Sequence, residues 1–180
     1  MYFTSSARLL GVLAVLALSL GTAHARDDGT DRSVTIEKDI QSNVINADGS
    51  SVVTVDSVLL INEERAIKAT AQRSLSYNST LETLDVLQAY TQKPDGRKVM
   101  VQADQIKEQQ ELQSAGAPMF QDTRVKIVIF PEVAVGDRLV AQFRKNRITA
   151  LFPGQFEDLS FPSFYAMKAF TLIYDLPADM

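Results

Sequence analysis

Residues 124–147, RVKIVIFPEVAVGDRLVAQFRKNR, hold two apolar runs of strand length around a stretch with a breaker at each end. In the first run Val125, Ile127 and Ile129 share one face and Val128 and Phe130 the other, so both faces read as at least partly buried. In the second, Leu139, Ala141 and Phe143 alternate with Val140, Gln142 and Arg144, one face core and the other increasingly polar. Pro131 cannot donate to a strand ladder and Gly136-Asp137 supplies a turn, which predicts two strands closed as a β-hairpin.

Outward from that stretch the pattern repeats. Residues 34–45 and 51–61 read as strands joined by Asn46-Ala47-Asp48-Gly49-Ser50, where Asp48-Gly49 is turn chemistry because a calcium loop needs further oxygen ligands at fixed spacing. Segment 62–72 is ambiguous: Glu63, Glu64, Ala66, Lys68, Ala69 and Ala71 favour helix while the neighbouring segments are strands. The reading adopted is a short connection and then a strand through Leu75 and Tyr77. Residues 82–91 and the pair Val99 and Val101 flank Lys93-Pro94-Asp95-Gly96, a second hairpin. One or two helical turns capped by Asp104 are expected over 104–112, a loop over 114–118, and a last strand through Phe170, Leu172 and Tyr174. The fold class expected is all-β: an antiparallel β-sandwich of about eight or nine strands with one or two short helices.

The amino terminus has the layout of a secretory signal peptide, Arg8 ahead of the apolar run from Leu9 to Leu20 and then Ala23-His24-Ala25 as a cleavage site. That run is short of the roughly 20 residues a membrane-spanning helix needs. No cysteine follows the site, which excludes a lipid-modified amino terminus. The organisation expected is a signal peptide over 1–25, a flexible lead over 26–33 and a sandwich domain over 34–180. The chain leaves its last strand and stops at Met180, so either that strand is an edge or the domain is the front part of a longer protein. Export predicts a periplasmic or secreted location with no stable membrane anchor.

Composition narrows the chemistry. The formal charge is −4 and no basic patch is present, which argues against nucleic acid as a partner. The chain has no cysteine, and its single histidine, His24, lies in the signal. Ser-His-Asp and Cys-His arrangements and His/Cys zinc sites are therefore removed, and no cofactor or metal site is read from the residues. Adjacent Glu63 and Glu64 point to different sides of a helix or a strand and read as a solvated face.

Tyr77-Asn78, the run Leu84-Asp85-Val86-Leu87-Gln88-Ala89-Tyr90, Lys93-Pro94-Asp95-Gly96 and the run from Phe130 to Asp137 together resemble one bacterial family. It is the domain of unknown function that lies on the amino-terminal side of transglutaminase-like domains in exported proteins. The resemblance covers most of 36–174 and implies a β-sandwich followed by a papain-fold neighbour whose Cys-His-Asp set carries any chemistry. That set is not present after residue 25, where the chain has neither Cys nor His, so no catalytic residue is carried over.

Three functional readings follow. The first is a non-catalytic exported module that docks on a transglutaminase-like domain or another envelope protein, through the tail's Phe152, Phe156, Phe161 and Phe164 and the loop carrying Pro131, Glu132 and Asp137. The second uses the aromatic tail to bind carbohydrate or peptide. The third is a carboxylate-dependent glycan hydrolase built on Glu132 and Asp137, or on Glu157 and Asp158. For the tail itself, sheet core and loop staples are the simpler expectation, because apolar side chains are normally buried.

Overall fold

The computed structural model describes residues 29–111, 122–148, 150 and 163–178. The described strands are β1 (Asp31–Ile45), β2 (Ser51–Ile61), β3 (Gln72–Asn78), β4 (Glu82–Gln92), β5 (Lys98–Met100), β6 (Ile106–Gln110), β7 (Thr123–Ile129), β8 (Arg138–Arg147), β9 (Tyr165–Met167) and β10 (Phe170–Asp175), with one helix, α1 (Glu64–Thr70). They form two layers. The larger sheet runs β10-β1-β2-β8-β4-β5 with β9 also on β1, and the smaller runs β3-β7-β6. Pairing is antiparallel except at the edge, where β9 and β10 lie parallel to β1.

The sandwich class and the hairpins β1–β2 and β4–β5 agree with the sequence reading. The central pair does not. β7 and β8 are not a hairpin: β7 sits between β3 and β6 in the small sheet, and β8 sits between β2 and β4 in the large one. Periodicity reports which faces are buried and leaves the partner undetermined. Segment 130–137 crosses between layers, anchored by Phe130 N–H to the Ala71 carbonyl (2.8 Å), Gly136 N–H to the Ile61 carbonyl (2.8 Å) and Ile61 N–H to the Asp137 carbonyl (3.0 Å).

Two further expectations are corrected. The segment read as a short connection contains α1, where local helix propensity prevails because Ala66 and Thr70 are buried and Ile67 packs on the core. The helix expected over 104–112 shrinks to one 3₁₀ turn, Ala103–Gln105, capped by Gln102 rather than Asp104, and the chain continues as β6. There the ladder to β7 overrides the helix-favouring Lys107, Glu108 and Gln109. β1 begins at Asp31, so the last residues of the expected lead are already strand, and Ser33 is buried.

Bulges set which residues enter the core. At Glu37 the β1 register slips by one residue, so Val34 and Ile36 face inward before it and Asp39, Gln41 and Asn43 after it. The extra residue is used: the Glu37 carboxylate accepts from Arg138 Nε at 2.6 Å and Lys168 Nζ at 3.0 Å. The core is Val34, Ile61, Ala66, Ala89, Val128, Phe130, Leu139 and Ala141, all near one end of the sandwich. Toward the other end the inner face of the large sheet turns polar, through Gln41 and Asn43 to Lys145 and Arg147.

Candidate docking edge and the loop beside the core

The 130–137 crossing and the 93–96 turn form one hydrogen-bonded unit. Lys93 Nζ donates to the Glu132 carbonyl and, at 2.8 Å, to Asp137 Oδ2. The same oxygen accepts the Ala134 N–H at 2.7 Å, and the Pro131 carbonyl accepts Thr91 Oγ1 at 2.7 Å. Gly136 takes φ +88°, a left-handed conformation that suits glycine, and a Cβ there would touch Pro94 Cγ at 3.5 Å.

This geometry separates the three loop residues singled out from sequence. Asp137 is only 1% exposed and its carboxylate is spent on Lys93 and Ala134, so it shapes the loop from inside. Pro131 is half-buried. Glu132, at φ 51°, is exposed, and its carboxylate meets Arg97 at 3.4 Å. The buried, ion-paired Asp137 is poorly placed to serve beside Glu132 as one of two hydrolytic carboxylates flanking a glycan. Glu157 and Asp158 lie outside the described residues. Among the described residues no group of three or more His, Cys, Asp or Glu could hold a metal ion.

Of the tail aromatics, Phe152, Phe156 and Phe161 lie outside the described residues. Phe164 is 85% exposed, its carbonyl accepting the Asp31 N–H at 2.8 Å as β9 begins. β10 follows as the edge strand and carries exposed apolar side chains on both faces: Phe170 and Tyr174 on the inner, Ile173 on the outer. Met167 and Leu176 extend the patch along the same edge. The expectation that the tail rings are core is corrected for Phe164, Phe170 and Tyr174, whereas Tyr165 does pack against the core. Alternation along 170–174 marks a strand but cannot report that the strand is an edge. Exposed apolar side chains in a row on an edge strand are a liability unless something covers them.

The model of one protein family, a domain of unknown function with a solved structure (DUF3857), matches residues 47–180. The chain belongs to the DUF3857 family. A search of curated protein sequences returned no match. Among solved structures, the DUF3857 fold is similar to a candidate protease of Parabacteroides distasonis, with a TM-score of 0.63 and 20% identity over 67% of this chain. At that identity the likeness speaks for the fold alone. The match spans only 24% of that chain. Two further structures, both of the family 3a carbohydrate-binding module from a Clostridium thermocellum scaffoldin, match at TM-scores of 0.39 and 0.34. They have 14% and 12% identity, covering 73% and 64% of this chain and 82% and 76% of theirs. Among the described residues no helix is long and apolar enough to cross a membrane.

Proposed function

We propose that this DUF3857 chain is a non-catalytic, exported, periplasmic β-sandwich module that docks on a partner protein through its β9–β10 edge. The transglutaminase-like domain implied by the sequence resemblance is the first partner to test, and another envelope protein the second. The observation that carries this reading is the exposure of Phe164, just before β9, and of Phe170, Ile173 and Tyr174 on the edge strand β10. The absence of cysteine, and of histidine after residue 25, supports the non-catalytic part. Titration calorimetry of residues 26–180 against a transglutaminase-like domain from the same genome tests it. Binding is expected, weakened at least about tenfold by Phe164→Ser with Ile173→Lys, since hot-spot truncation costs about 2 kcal/mol or more. No binding, or binding indifferent to both changes, sinks the proposal.

A carbohydrate-binding use of the same rings is the second reading, favoured by the near-complete exposure of Phe164. A glycan panel separates the two: retention of a glycan that depends on Phe164 and Phe170, with no protein partner, selects the second.

A further inference from the structure

Between the polar half of the large sheet and the edge of the small one lies a cleft of about 600 Å³, within the usual range for ligand sites. Its floor is Gln41, Asn43, Val53, Val55 and Lys145, and its rim is β3 from Arg73 to Ser76. Arg73 decides its character. The guanidinium stacks on Phe143, 4.9 Å from the ring centre, and Nη1 donates to Ser57 Oγ. Asp39 is the one acid lining the cleft; its charge acts on Arg73 without a hydrogen bond or salt bridge between them. A guanidinium has five N–H donors, and among the described residues Arg73 uses only the one given to Ser57. Since no buried side-chain nitrogen among the described residues lacks a partner, the remaining donors reach solvent, and Arg73 lines this cleft.

The other charges leave a positive balance. Arg147 is committed to the buried Glu82 at 2.7 Å, while the more exposed Lys145 is 3.8 Å from it. A planar, pre-stacked guanidinium with free donors matches a carboxylate in two-point contact. β3 adds a second recognition element, because among the described residues it pairs with β7 alone and presents its other main-chain edge along the rim. An added strand would hydrogen-bond to that edge and place alternate side chains against Val53, Val55 and Leu84.

We propose that this cleft binds an extended peptide bearing a carboxylate, with Arg73 taking the carboxylate, Lys145 supporting it and the β3 edge pairing with the peptide backbone. The site adjoins the β9–β10 docking edge, since Asp39 and Asn43 pair with Phe170 and Tyr174, but its charge recognition comes from β3 and β8. The test is a nitrogen-15 NMR titration of residues 26–180 with three probes: a capped valine-rich pentapeptide with a central glutamate, the same peptide with glutamine, and sodium acetate. The glutamate peptide is expected to shift the amides of residues 73–76 and 53–55 and to bind at least about tenfold tighter than the glutamine peptide, as a charge-assisted pair requires. Lys145→Glu should weaken it by a similar factor and Asp39→Asn should tighten it; both leave Arg73 in place should Arg73→Leu fail to fold. Equal binding of the two peptides, shifts elsewhere, acetate reproducing the whole effect, or no shifts at millimolar peptide would each overturn the proposal.

Discussion

At the scale of single residues, Asp137 and Glu37 show what acidic side chains do in this domain. Asp137 joins Lys93, itself only 13% exposed, to a backbone N–H, so Asp137→Ala would leave a nearly buried ammonium without its counter-charge. A loss of about 3 kcal/mol is expected, read from the urea midpoint; a midpoint matching wild type would show that the loop is held by other means. Glu37 is held below its ordinary value of 4.5, first by the hydrogen bond from Arg138, then by Lys168. A lowered carboxyl value means stability that is present above 4.5 and lost as pH falls through the folded value. Glu37→Gln is therefore expected to cost about 1 kcal/mol at pH 7, discounted for the partial exposure of Arg138. The gap to wild type should close in acid, and a gap that persists unchanged at pH 3 would refute the linkage. Neither role is legible in the sequence, because each rests on partners far along the chain: Arg138 is 101 residues from Glu37.

At the scale of elements, legibility follows the distance over which a strand finds its partner. The β1–β2 and β4–β5 hairpins were readable because turn chemistry at 46–50 and 93–96 fixes them locally. β7 and β8 were readable as strands and misread as a pair, because eight residues can either turn back or cross to the other layer, and only the bonds to Ala71 and Ile61 decide. Gly136 records that decision at φ +88°; Gly136→Ala should cost about 1 kcal/mol from backbone strain, since its added Cβ meets only ordinary contact. An unchanged melting temperature would contradict this. The β10 edge makes the opposite prediction. Ile173 is 47% exposed, so Ile173→Lys should leave stability within about 0.5 kcal/mol while reducing self-association measured by light scattering. A large loss of stability would mean that the edge is packed within the chain.

At the scale of the whole molecule, two of the four sequence motifs that carry the family resemblance, Lys93-Pro94-Asp95-Gly96 and the 130–137 run, prove to be one structural unit, joined by Lys93 to Asp137. They preserve a crossing between layers, and this explains why a motif reading finds the family without finding a site. The Arg73 cleft was invisible for the complementary reason: its walls come from β1, β2, β3, β4 and β8, and no local pattern announces their convergence. That same interleaving has a consequence for biosynthesis. Val55 on β2 waits for Phe143 on β8, and Asp39 on β1 waits for Phe170 on β10. At about 5–20 residues per second of translation, the first delay alone is roughly 4–18 s. Throughout it a β1–β2 hairpin would present an unpaired main-chain edge on β2, giving a holding chaperone a defined interval in which to act before the sheet can close.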